Sequence, residues 1–138
     1  VNTTTTVFQW IARIAGLIVI VLGILLWTGN FDQLKSIHML FGITVVLALW
    51  ALAVLGAFSG VGVGFVALAI VWGIIVPLLG ITQESLFPGG AHWLIQILHL
   101  LLGLGAIGQA ENLARRIKRR PTIGQTTSQA GTLKGAAQ

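Results

Sequence analysis

The sequence predicts an all-α membrane protein: a four-helix transmembrane bundle, up-down-up-down, with both termini cytoplasmic. Three observations carry this. Of the 138 residues, 56% are hydrophobic and only 8% are charged, where a soluble domain carries about 25% charged residues. The apolar residues fall into four stretches of about 20, the length that crosses a bilayer. The basic residues crowd behind the fourth stretch, at Arg115, Arg116, Lys118, Arg119 and Arg120.

Residues 1–6 (VNTTTT) are polar and expected to fray. Span one runs from about Val7 to Thr28. No basic segment precedes it and no small-residue cleavage site follows, so a retained helix is expected rather than a signal peptide. Gly29-Asn30 ends it, and Phe31–Lys35 is a short connection. Span two runs from about Ser36 to Phe58, and Ser59–Gly62 is a tight turn. Span three runs from about Val63 to Thr82. Pro77 lies inside it, where it removes one backbone hydrogen bond and is expected to kink the helix. Gln83–Ala91 is the longest loop, with turn chemistry at Pro88-Gly89-Gly90. Span four runs from about His92 to Ala114. Residues 1–120 thus form the membrane domain, and 121–138 read as a disordered polar tail.

Basic residues stay on the cytoplasmic side of a membrane protein. The run after span four therefore places the C-terminus inside, and four spans return the N-terminus and Arg13 to the same side. The outer loops carry one basic residue, Lys35. A cell membrane, plasma or inner, is the expected location. The net charge of +5 comes mostly from this one run, so no nucleic-acid partner is read from it. The chain has no cysteine, which excludes disulfides, thiolate metal sites and thiol nucleophiles.

Polar and small residues fall on one stripe of each span. Span one gives Gln9, Arg13, Gly16, Ile20, Gly23, Trp27 and Asn30. Span two gives His38, Gly42, Val45, Leu49 and Gly56. Span three gives Gly62, Val66, Ala69, Gly73, Val76, Gly80 and Gln83. Span four gives His92, Gln96, His99, Gly103 and Ala106. Spacings of three and four form the seam of a left-handed bundle with small residues at its contacts. Trp10, Trp27 and Trp93 suit the aromatic belts, and Trp50 and Trp72 suit interhelical packing. Arg13 and Glu111 are expected to form a structural ion pair.

The stretch His92–Gly103 (HWLIQILHLLLG) holds two of the three histidines. Its core has a second copy: Ile37-His38-Met39-Leu40-Phe41-Gly42 matches Leu98-His99-Leu100-Leu101-Leu102-Gly103. An ionisable side chain inside lipid is expensive and faces the bundle interior or a cavity by default. Spans one and three also match locally, with Val21-Leu22-Gly23 against Val71-Trp72-Gly73. Two helices per half would make a parallel repeat about the membrane normal, with His38 and His99 at similar depth across the bundle axis.

Two neutral imidazoles on facing helices can ligate haem iron from both sides. The glycine four positions on, Gly42 or Gly103, lies one turn away on the same face. It leaves room for the porphyrin plate where leucine would collide with it. His38 and His99 are thus the expected iron ligands, for one haem b. His92 is followed at that spacing by Gln96, so it fits the ligand pattern less well. It suits a propionate near the outer surface, with Lys35 or the backbone of Gly89-Gly90. The axial histidines need acceptors on their other ring nitrogen, for which Gln96, Thr44 or a backbone carbonyl are candidates. The depths leave an alternative. His99 to Arg115 is about 24 Å of helix, and His38 to Ser59 about 32 Å. Measured from Glu111, His92 lies nearer the depth of His38, so a His38–His92 pair is the other ligand assignment.

In these residues the chain resembles, in general form, the four-helix membrane cytochromes of b type, which bind haem between helices through paired histidines. The resemblance covers His38, Gly42, His99 and Gly103 on spans two and four. It departs from the two-haem members, because three histidines cannot supply two bis-histidine sites. It implies electron transfer, often with quinone as the other partner; the orientation read from charge puts this near the outer face, where an outer-face redox protein is a candidate second partner.

A competing account is non-catalytic: a small subunit or assembly factor of a larger membrane complex, or a homo-oligomer, with histidines that are structural or hold another pigment or metal. His92 near a helix start is then simply solvated, and His99 hydrogen-bonds a neighbouring helix. A transporter ranks last, because no acidic residue lies near the midplane. Hydrolase chemistry has no supporting constellation.

Overall fold

The computed structural model describes residues 1–29 and 32–119. Four helices account for nearly all of them: α1 (Asn2–Trp27), α2 (Lys35–Phe58), α3 (Val63–Thr82) and α4 (His92–Lys118). Short 3-10 turns, Asp32–Leu34 and Gln83–Ser85, lie in the two longer connections. All four helices are long and apolar enough to cross a membrane. The fold is that of an all-helical, multi-pass membrane protein. The expected tail from Pro121 onward lies outside the described residues.

Two ends differ from the spans read in the sequence. Asn2–Thr6 are helical rather than frayed. The hydroxyl of Thr5 donates to the Val1 carbonyl at 2.8 Å, and that of Thr6 to the Asn2 carbonyl at 2.9 Å. Back-bonding of this kind satisfies a threonine within its own helix, and Thr5 is fully buried. At the other end α4 continues past Ala114 to Lys118. Ala114 and Ile117 are buried, so the apolar stripe persists between the charges. Arg115, Arg116 and Lys118 occupy the last turn, where cations offset the negative end of the helix dipole.

The turn between α2 and α3 is a Schellman closure. Gly60 takes φ +72°, the Val61 amide donates to Gly56 at 2.8 Å, and the Gly60 amide donates to Ala57 at 3.2 Å. Val61 folds back, buried, against Gly56. Pro77 sits inside α3 without ending it.

α2 and α4 each pack against the other three helices, while α1 and α3 make no contact with one another. The bundle is therefore a rhombus in section, with α2 and α4 on the short diagonal. Leu49, Leu52 and Ala53 of α2 are fully buried there, beside Ala106, Ala110, Leu113 and Ala114 of α4. Ala12 and Ala15 of α1 and Ala69 of α3 close the flanks. Helices in lipid gain from close backbone approach, so small side chains at the contacts are expected. The outward faces carry Leu17, Leu47, Leu68, Ile81 and Leu101.

Both mid-span tryptophans lock adjacent helices. The Trp50 indole lies across Gly73 of α3 and donates to the Ile70 carbonyl at 3.2 Å. The Trp72 indole lies across Gly105 of α4 and donates to the Leu102 carbonyl at 2.8 Å. Each pair satisfies a buried N–H that lipid would leave unbonded.

At one end α1 and α4 share a polar cluster. The Arg13 guanidinium pairs with the Glu111 carboxylate, Nη2 to Oε2 at 2.8 Å. Gln9, 5% exposed, donates to Glu111 at 2.8 Å and accepts from Lys118 at 2.6 Å. The ion pair expected between Arg13 and Glu111 is present, and Gln9 and Lys118 enlarge it.

Candidate functional site

The opposite end holds the histidines. His38 enters from the second turn of α2, and His99 from the third turn of α4. Their ring centroids lie 6.2 Å apart, with the planes inclined at 50°. Both side chains are half-buried. Nδ1 of each ring is fully shielded and has no hydrogen-bond partner. A buried polar atom without a partner costs about 1–3 kcal/mol and calls for an explanation. The His38 ring also lies close to the Val19 carbonyl of α1.

The depth discrepancy disappears with the true helix ends. The run from His99 to the end of α4 is one residue shorter than that from His38 to the end of α2. The structure therefore brings His38 to His99 and leaves His92 apart. His92 Nδ1 lies 3.2 Å from the Leu86 carbonyl, and since a carbonyl only accepts, that nitrogen carries the proton. The ring is fixed to the loop ahead of α4. Thr44, a candidate acceptor, has its hydroxyl bonded to Leu40 of its own helix at 2.9 Å.

The glycines divide unexpectedly. A Cβ on Gly103 would meet nothing within 4 Å, and one on Gly42 would meet only Val19, at 3.8 Å. Gly103 thus borders open space, whereas Gly42 is in ordinary packing. The glycines that face the imidazoles are on the flanking helices. A Cβ on Gly23 of α1 would stand 3.2 Å from Cε1 of His38, and one on Gly80 of α3 would stand 3.0 Å from Cε1 of His99. Both glycines lie on the stripes read in the sequence, yet the chemistry was assigned to the histidines' own helices. A signal was available: Gly16 and Gly23 on α1, and Gly73 and Gly80 on α3, share the same seven-residue spacing.

These contacts obey one internal symmetry. The chain step from Gly23 to Gly80 equals that from Arg13 to Ile70, and the step from His38 to His99 equals that from Trp50 to Glu111. The contact of Gly23 with His38 thus repeats as Gly80 with His99. The contact of Arg13 with Glu111 repeats as Ile70 with Trp50. Gly80, not Gly73, is the counterpart of Gly23, one heptad from the register suggested by the local match of spans one and three.

Lys35 and Glu84 form an ion pair between the start of α2 and the turn after α3, which ties the two halves at the histidine end.

The donor set limits the ligand. Among the described residues no three His, Cys, Asp or Glu side chains converge. A metalloporphyrin brings its own equatorial nitrogens and needs only two axial imidazoles. His38 and His99, with ring centroids 6.2 Å apart, are the residues that would hold such a group, and the Cε1 edge of each ring lies against the glycine of a flanking helix. No protein-family model, curated protein or solved structure matches the chain.

Proposed function

We propose that the chain binds one haem b, with His38 and His99 as its axial ligands, and serves as a membrane electron carrier. The observation that carries this reading is the pair of facing, half-buried imidazoles with both Nδ1 atoms shielded and unpartnered. The group would supply a one-electron couple that no side chain of this cysteine-free protein offers. The chain's own residues hold the two imidazoles at matching depth on α2 and α4. Gly23 and Gly80 let the rings lie close against α1 and α3. Lys35 and His92, at the mouth of the same end, suit the propionate carboxylates.

In this reading the helices alternate up and down, with both termini in the cytoplasm of a plasma or inner membrane. Support comes from the charge distribution: Arg13, Arg115, Arg116, Lys118 and Arg119 cluster at the end remote from the histidines. The haem then lies toward the outer face, within reach of quinone or an outer-face redox protein.

The test is the visible spectrum of detergent-purified protein, oxidised and reduced. Wild type is expected to show sharp low-spin bands in the reduced form. His38→Ala and His99→Ala lose them or turn high-spin, and His92→Ala keeps them. A protein that stays colourless when haem is supplied overturns the reading and leaves a structural membrane subunit.

A further inference from the structure

The end remote from the histidines holds a second polar recess. A cavity of about 390 Å³ lies beside the α2–α3 turn, lined by Val61 and by Asn112, Arg115, Arg116 and Arg119 of α4. Among the described residues the two ion pairs are Arg13–Glu111 and Lys35–Glu84. None of the three guanidiniums at the cavity is paired with a carboxylate. The nearest acid on the same helix, Glu111, is already held by Arg13 and Gln9.

Arg116 is oriented in advance. Its Nε donates to Asn112 Oδ1 at 3.1 Å, and its guanidinium carbon lies 3.7 Å above the Phe65 ring of α3. A guanidinium fixed in plane presents a fork that matches the oxygens of phosphate. Arg116 held in this way, with Arg115 and Arg119 lining the same recess, makes it a site for an oxyanion.

The surroundings specify what carries it. Phe58 and Val63, on either side of the turn, are 87% and 84% exposed. A charged recess flanked by bare apolar side chains suits a ligand with an anionic head and an apolar body. The recess also lies at the end of the apolar spans, where headgroups meet water. We propose that this cavity binds the phosphate of an anionic phospholipid.

The test is native mass spectrometry of the full-length chain, released from detergent after incubation with equal amounts of phosphatidylglycerol and phosphatidylcholine. Wild type is expected to retain phosphatidylglycerol preferentially. Arg116→Gln and Arg119→Gln should each weaken that retention about fivefold, the effect of one basic residue at an anionic surface. Arg119 is exposed and ends α4, so its replacement leaves the fold intact even if Arg116→Gln does not. Equal retention of the two lipids overturns the proposal, as does a preference that survives both substitutions. Retention of inorganic phosphate together with equal retention of the two lipids also overturns it, since the recess is then a site for free phosphate.

Discussion

Gly80 of α3 lies against the edge of the His99 ring, so close that a Cβ would stand 3.0 Å from Cε1. Gly23 of α1 has the same relation to His38 on the other side of the bundle. Each imidazole is therefore held between its own helix and a glycine on the neighbour. The glycine one turn along the histidine's own helix is not what confines it.

Gly80→Ala should push the His99 ring out of place, and Gly23→Ala should do the same to His38 more weakly, since its gap is wider. Overpacking of this kind costs about 1–3 kcal/mol, partly offset by the roughly 1 kcal/mol by which alanine favours helix over glycine. Melting in detergent should show a modest loss for Gly80→Ala and less for Gly23→Ala. If the imidazoles ligate haem, reduced-minus-oxidised spectra of Gly80→Ala should broaden or turn partly high-spin.

Gly73→Ala should be the most damaging glycine substitution. Its Cβ would stand 2.3 Å from Trp50 Nε1, against 2.7 Å from Trp72 Cζ2 for Gly105→Ala. The Trp50 ring must leave, and its bond to the Ile70 carbonyl goes with it. The loss should be about 1–3 kcal/mol or more. A double-mutant cycle with Trp50→Ala should give a coupling of about 0.5–3 kcal/mol, as for residues in contact. Additive melting losses would contradict the packing described.

The four spans are legible in the sequence because apolar length and sparse charge decide them almost alone. The pairing of Arg13 with Glu111 is legible too, since two opposite charges at one depth in lipid have little choice. The site is half legible. His38 and His99 announce themselves as ionisable groups in apolar helices, but which glycines face them depends on helix rotation and on the rhombic section. A rhombus sets α1 against His38 and α3 against His99, and the seven-residue glycine spacing of α1 and α3 marks the facing glycines without saying which histidine each one meets. Helix ends also escape the hydropathy pattern. Asn2–Thr6 become helical through hydroxyl back-bonding, and the last turn of α4 through burial of Ile117 between arginines. With that last turn, His99 stands about as far from the end of α4 as His38 does from the end of α2.

Glu111→Ala should destabilise more than Arg13→Ala. Removing the carboxylate leaves Arg13 without its partner and also frees the buried amide of Gln9. Removing Arg13, which is 42% exposed, leaves Glu111 still bonded to Gln9, and the freed volume can fill with water. Thermal melts of the two variants should rank in that order. Gln9→Leu should fall with Glu111→Ala, because Gln9 also links Lys118.

Gly103→Ala separates an empty space from a ligand's space. Nothing lies within 4 Å of its added Cβ, so the ligand-free protein should tolerate the methyl and gain up to about 1 kcal/mol of helix propensity. A porphyrin clasped between His38 and His99 would extend past the turn that follows His99, and the same methyl would then meet its face. The expected outcome is an unchanged or higher melting point for apoprotein, with weaker haem binding in titration. Gly42→Ala is the control: its Cβ meets Val19 at an ordinary 3.8 Å, so its effect on haem should be the smaller of the two. Equal haem affinity for wild type and Gly103→Ala would place the plate elsewhere, and a lower apoprotein melting point would mean that the space at Gly103 is already filled.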